Sequence, residues 1–365
     1  MLRARIVGSS ILFDDREIWF RSDSELPALS GDVAALSLIF LAMREGRDLH
    51  IEAPVSRQLL TNLEEFQAAW TKWLPQRYAQ VALLADEETE TPPDDGTAVV
   101  TFSGGVDASF TLLRHLHGLA GRSGRKVTTA VLVHGFDIPL SAPDAFAAAT
   151  DRARQMLAPL DVPLVTVATN LRQHVHDWEM EYAPALAAAL NLFPQSTGLV
   201  ASGEDYGSIE VPWGGNPVTN PLLSGRMRVV TDGTGFTRTE KVALVARYPH
   251  TRDLLRVCWE GPLTGRNCGR CEKCKRTYLN FMATGAEPGA FLDEPPSFWA
   301  LASINARNSV QISHLSEVLR AGEARGANEP WMWAVRISIA RARLRQALKI
   351  KKKKKKRTRS VVVAR

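Results

Sequence analysis

A short apolar run at residues 98–102 opens directly into Ser103-Gly104-Gly105, and a helical pattern begins at Val106. A strand that turns through two glycines into a helix is a restrictive junction. The glycines let the backbone turn its N–H groups outward, and the helix N-terminus adds partial positive charge. Junctions of this kind belong to parallel βα units. The pattern downstream agrees, with strands expected at 126–133, 163–168 and 198–202 and helices at 106–119, 142–157 and up to about 192. The spacing predicts an α/β fold with a doubly wound parallel sheet and ligand chemistry at the strand C-termini.

Residues 1–85 read as a smaller α/β unit, with strands at 3–8, 17–20 and 49–53 and helices at 32–44 and 56–73. Residues 86–96 are acidic and carry Pro92-Pro93, which predicts a linker and a domain boundary. The α/β pattern then occupies 97–286. Within it, 203–225 is rich in Gly, Pro and Asn and predicts a long functional loop. A strand at 226–230, a helix at 239–247 and an extended segment at 254–259 lead to the cysteines, with a helix at 274–284 beyond them. Residues 287–348 predict helices, including 331–348, and 349–365 a basic, disordered tail.

Charge is unevenly placed. The net charge is +6, yet Lys349, Lys351 to Lys356, Arg357, Arg359 and Arg365 supply ten cations after residue 348, which leaves −4 for the residues before them. The body is mildly acidic; the tail reads as a solvated end, or as an electrostatic arm for nucleic acid or anionic lipid. With 45% hydrophobic and 23% charged residues and no long apolar run, the chain predicts a cytoplasmic globular protein with no membrane span and no membrane partner, its oligomeric state open.

All four cysteines, Cys258, Cys268, Cys271 and Cys274, lie in a 17-residue window, separated by nine, two and two residues. Two successive C-x-x-C steps place three thiolates on one tight turn, and Cys258 completes a tetrahedral set suited to structural Zn²⁺. An iron–sulfur cluster is the alternative for four thiolates.

The segment Ser103-Gly104-Gly105-Val106-Asp107-Ala108-Ser109 lacks the Gly-x-x-x-x-Gly-Lys of a Walker A loop and resembles the PP-loop, Ser-Gly-Gly-x-Asp-Ser, of ATP pyrophosphatases. Taken with the cysteines, it is similar to the 7-cyano-7-deazaguanine synthase (QueC-like) family. Gly203-Glu204-Asp205-Tyr206-Gly207-Ser208, Pro221-Leu222, Thr239-Glu240-Lys241-Val242, Cys258-Trp259 and the run Asn267 to Arg276 carry the likeness, over about residues 97–286. The resemblance implies an adenine nucleotide alpha hydrolase-like fold and adenylation of a carboxylic acid. Pyrophosphate leaves, and ammonia or an amine attacks, to give an amide or nitrile. It implies that Ser103, Gly104, Gly105, Val106, Asp107 and Ser109 hold ATP with Mg²⁺, with Ser103 and Asp107 the catalytic candidates. By position, just after the second strand, His134 and Asp137 are candidates for nucleotide or metal contacts, with a core or surface role as the alternative, while Glu204, Asp205 and Tyr206 would face the substrate, an acid of deazapurine type. The chain departs from the family at Ala108, where serine is usual, and at Ile209 to Asn216, where the substrate loop differs. Two other readings stand beside this one. The first is a thiolation-type enzyme acting on tRNA; the second is a zinc-containing module that binds nucleic acid and keeps a vestigial ATP loop. A protein partner for residues 1–85 is also open.

Overall fold

The computed structural model describes residues 1–209, 211–258 and 264–362, with backbone alone for 349–362. The chain divides into two compact units, Met1–Lys241 with Leu254–Arg256 and Leu263–Arg266, and Val242–Asp253 with Val257–Pro262 and Asn267–Arg365.

The first unit is built on a mostly parallel sheet of ten strands. These are β1 Leu2–Val7, β2 Ser10–Phe13, β3 Arg16–Ser22, β4 Leu49–Ser56, β5 Leu83–Thr89, β6 Thr97–Thr101, β7 Lys126–His134, β8 Leu164–Thr169, β9 Thr197–Ala201 and β10 Arg228–Asp232. Their order is β10-β9-β6-β7-β8-β3-β2-β1-β4-β5. Strand β6 pairs in parallel with β7 on one side and β9 on the other. The winding therefore reverses at β6, and in open α/β sheets ligands bind at such reversals, beyond the strand C-termini. Helices α1 Gly31–Glu45, α2 Arg57–Trp73, α3 Val106–Leu116, α4 Pro143–Leu157 and α5 Trp178–Leu190 belong to this unit, and α6 Arg238–Ala246 begins in it.

Residues 1–85 do not stand apart behind a linker. Strand β3 pairs antiparallel with β8, Phe20 opposite Thr169, so the N-terminal strands extend the same sheet. Strand β5 runs to Thr89, through the start of the expected linker. Its acids do find partners. Arg57 pairs with Glu88 at 3.0 Å, and also with Glu90 at 2.7 Å, while His50 Nε2 lies 2.9 Å from Asp86. A charged outer face is what an edge strand needs in order to avoid pairing with another chain. One apolar core, including Phe20, Leu36, Phe66, Trp70, Val99, Val167 and Leu190, runs through both parts. Buried Glu181 on α5 supports the join, since Arg44, Tyr78 Oη and the His176 N–H all donate to it.

A buried network fixes the helix that leaves the glycine loop. Asp232, at the end of β10, accepts from Thr111 Oγ1 at 3.0 Å and pairs with Arg114, both on α3. His115 Nε2 lies 3.5 Å from the same carboxylate, while its Nδ1 accepts the Arg125 N–H at 3.0 Å. Burial pushes the Asp232 carboxyl upward, but His115, Arg114 and Thr111 outweigh it and hold the group below its ordinary range.

The second unit is helical: α7 Pro249–Asp253, α8 Glu272–Thr284, α9 Phe298–Ala302, α10 Ser309–Ala324 and α11 Pro330–Val362. Leu279, Leu315, Val318, Met332, Val335 and Ile339 lie in its core. Residues 254–258, expected to be extended, form no strand; Trp259 lies outside the described residues. The backbone of α11 continues through the lysine run expected to be disordered, since lysine is a good helix former and extending a packed helix is far cheaper than nucleating one. No helix among the described residues is long and apolar enough to cross a membrane.

Replacing Asp232 by alanine strands Arg114 and His115 in the interior. It should lower stability in urea unfolding by about 3–5 kcal/mol. Because the folded Asp232 pKa is depressed, its contribution is full above about pH 5 and is lost as pH falls through about 4 and below. The wild-type and Asp232→Ala unfolding midpoints should therefore converge in acid.

Candidate functional site

The glycine loop sits at the reversal point, between β6 and α3. Gly104 has φ +72°, a left-handed conformation that favours glycine. The loop carbonyls are held from one side: the Arg256 N–H donates to Gly104 O at 2.8 Å, and Arg256 Nε donates to Ser103 O at 3.3 Å. Gly105 caps α3, and the amides of that helix's first turn have no partner within the helix. Ser103 is half-buried, its Oγ 3.4 Å from the Gly105 N–H. Val106 is buried and offers the loop only backbone.

A second helix begins against the same loop. Thr237 and Glu240 form a capping box: Glu240 Oε2 accepts the Thr237 N–H at 2.7 Å, and the Glu240 N–H donates to Thr237 Oγ1 at 3.3 Å. This fixes the first turn of α6 and, three residues apart on one face, Arg238 and Lys241. Arg238 Nη1 donates to Asp107 Oδ2 at 2.7 Å, and Lys241 Nζ lies 3.7 Å from Asp107 Oδ1. Lys241 Nζ also donates to Ser202 O at 2.8 Å. Lys241 is 1% exposed, and burial pushes its ammonium below the usual lysine value despite Asp107.

Arg238 is the site's most telling residue. It is 7% exposed, yet Nε and Nη2 have no hydrogen-bond partner among the described residues. Those two nitrogens form the edge that grips a carboxylate or phosphate bidentately. Thr234 Oγ1, on the turn leading from β10 to α6, is likewise buried without a partner. Buried donors are normally satisfied, so the arrangement suits an anion with several acceptor oxygens.

The other expected residues divide. Glu204 and Asp205 follow β9, and both act on the charge of Lys241. Ser208 Oγ donates to Asp205 Oδ2 at 3.1 Å and lies 3.3 Å from Glu204 Oε2. Tyr206 is 71% exposed, but its N–H donates to Thr234 O. The Ser109 hydroxyl does not face the loop: the side chain is fully buried, with Oγ 3.6 Å from Met156 Sδ, and only the Ser109 N–H bonds Gly105 O, at 3.0 Å. His134 is also engaged elsewhere, stacked on Phe146 at 4.2 Å with Nε2 3.0 Å from Pro139 O.

Arg238, Lys241 and Arg256 were not among the expected site residues. The Thr237-x-x-Glu240 capping pattern is the signal that would have placed the first two, because it starts the helix at Arg238. Tyr182 on α5 was missed as well. Burial pushes its phenol up, and the carboxylates of Glu204, Asp137 and Asp107 add to that shift. The Trp213 ring lies 6.5 Å from it, edge-on. A Cβ at Gly215 would sit 2.0 Å from Tyr182 Oη, and one at Gly214 would sit 2.5 Å from the backbone oxygen of Glu179, so the altered loop requires glycine at Gly214. Glu210 of that loop lies outside the described residues.

The four cysteines converge in the second unit. Their sulfurs all lie within 4.8 Å of one another, with Cys258 Sγ 3.9 Å from Cys271 Sγ. Four thiolates bound tetrahedrally to one ion at about 2.3 Å stand roughly 3.8 Å apart, so the set can hold a single metal ion such as zinc. Gly269, at φ +66°, makes the turn after Cys268. The Cys271 N–H points at Cys268 Sγ at 3.3 Å, and the Cys274 N–H at Cys271 Sγ at 3.4 Å. Hydrogen bonding from the Cys274 thiol, with the Cys274 N–H and the Cys268 and Cys258 thiols adding to it, outweighs burial and lowers the Cys271 thiol to about 5. Asn267 locks the knuckle, accepting the N–H groups of Val257 and Cys258 and donating to Phe291 O at 2.7 Å.

No protein-family model matches the chain, and no curated protein or solved structure matches it.

Protein purified under reducing conditions should carry about one equivalent of tightly bound metal per chain by plasma mass spectrometry. The Cys268→Ser, Cys271→Ser double variant should carry less than about a tenth of that.

Proposed function

We propose that the chain is an ATP-dependent ligase of PP-loop type, which adenylates a carboxylic acid and passes it to ammonia or an amine. The buried Arg238 carries this reading. Its unpaired Nε–Nη2 edge, beside a glycine loop at the sheet's reversal point, suits an oxyanion with the charge and acceptor count of a polyphosphate. The resemblance of Ser103 to Ser109 to the PP-loop narrows that anion to ATP, which would enter with Mg²⁺.

In this reading a carboxylate oxygen attacks the α-phosphorus of ATP, and the α–β bridging oxygen departs with pyrophosphate. Negative charge builds on the leaving group, where Arg238, Lys241 and the first-turn amides of α3 are already oriented; donors fixed in advance spare the cost of reorganisation. Asp107 acts through Arg238, holding Nη1 so that the opposite edge faces outward. The nitrogen nucleophile then adds to the acyl carbon, and AMP leaves. Glu204, Asp205 and Tyr206, with Tyr182, whose phenol feels the Glu204 charge, form the acid-binding side. The cysteines hold Zn²⁺ in a structural role, since four thiolates leave no open position for a substrate. A QueC-like substrate, 7-carboxy-7-deazaguanine, is the first acid to test, and the altered loop at 209–216 is the reason another acid is the alternative.

The test is product analysis with α-labelled ATP, Mg²⁺ and ammonium over a panel of acids. Acid-dependent AMP and pyrophosphate are expected. Arg238→Met should lower kcat/KM about 10²- to 10³-fold with the fold intact by circular dichroism. A metal-replete protein that neither binds ATP in calorimetry nor forms AMP with any acid or cell extract would sink the reading.

A further inference from the structure

We propose that the outer face of α11 is a docking surface for an anionic lipid bilayer, a surface on which the helix lies rather than one it spans. One face of α11 is packed in the core of its unit through Trp331, Met332, Val335, Ile339 and Ala342. The opposite face is also apolar. Trp333 is 58% exposed, Ile337 40%, Leu344 63% and Leu348 51%. At 100° per residue these four and exposed Ala340 fall in one stripe roughly 80° wide and about 22 Å long. Isolated apolar residues on a surface need no explanation, but a contiguous stripe does.

The flanks that α11 itself supplies are basic, and Glu323 of α10 pairs with one of these cations, Arg336, at 2.9 Å. Arg336 and Arg343 border one side, Arg341 and Arg345 the other, and the guanidinium of Arg336 lies 5.0 Å over the Trp333 ring. From Trp331 to Arg365 the sequence has fourteen Lys and Arg and no acid. The six consecutive lysines begin three residues after Leu348, on the same helix.

Charge decides between occupants. A second copy of the helix would bring arginine flank against arginine flank, with no acid on either helix to relieve the repulsion. A nucleic-acid backbone would satisfy the cations but gives four exposed large apolar side chains nothing to bury against. A bilayer with anionic headgroups supplies both partners: the acyl boundary accepts Trp333, Ile337, Leu344 and Leu348, and the headgroups pair with the flanking cations. Neither half suffices alone, since the charge term is screened by salt and the stripe is narrow.

The experiment is flotation of the full chain with vesicles of phosphatidylcholine alone or with about 30% phosphatidylserine. Binding is expected only to the anionic vesicles, weakening as salt rises. The Ile337→Ser, Leu344→Ser variant, which keeps every cation, should partition about tenfold more weakly. Both positions are exposed, so its circular dichroism and melting should match wild type. Brominated lipid should quench wild-type fluorescence more than that of Trp333→Phe. Failure to float with anionic vesicles near physiological salt would overturn the proposal. So would unchanged partitioning of the double variant, or an RNA oligomer that binds and loses affinity on the same substitutions. Dimerisation that disappears in the double variant would assign the stripe to self-association instead.

Discussion

Two helix N-termini meet at the C-terminal edge of the sheet, each presenting the positive end of a helix dipole. Left alone they would repel, and Asp107, in the first turn of α3, offsets this by pairing with Arg238 at the start of α6. One carboxylate does not neutralise what converges there. Lys241 and Arg238 both lean on it, while Arg256 holds the loop carbonyls from the other side. Even with Glu204 and Asp205 nearby, burial prevails and weakens the charged form of Lys241. A cluster of desolvated cations at two dipole ends gives a local positive potential, which an anion of several oxygens can relieve.

That potential works only if the groups creating it cannot move apart. The Asp232 network ties α3 to β10, and the Lys241 bond to Ser202 O ties α6 to the end of β9. The Tyr206 N–H to Thr234 O bond then joins the two connections that leave those strands. The neighbouring strands β9 and β10 thus each anchor one wall of the site. Buried polar groups held this way are costly to disturb, because breaking one bond leaves its partner desolvated.

The α/β rhythm was readable because each central strand is a short apolar run and each helix follows a turn signal. The cysteine cluster was readable from spacing alone, since C-x-x-C steps bring thiolates together through local geometry. What escaped the sequence was orientation and distant pairing. Asp107 and Ser109 are two residues apart on α3, about 200° around the helix, so only one of them can face the loop. The antiparallel join of β3 to β8 links residues about 150 positions apart, and no local pattern announces it. The acids of β5 looked like a linker because an edge strand's outer face and a solvated loop have the same composition.

Net charge was the least informative number in the sequence, for a reason the structure makes physical. The cations that dominate the count lie beyond residue 348, in a tail whose fields are screened within about 8 Å at physiological salt. The cations at the glycine loop barely register in the count, yet water and salt are largely excluded from Arg238 and Lys241. A given charge acts far more strongly there than on the surface. Selecting a small anion depends on a few desolvated donors at fixed positions, and adsorption to a broad surface depends on many cations acting together. The chain carries both kinds of cation, each in a setting suited to one of those tasks.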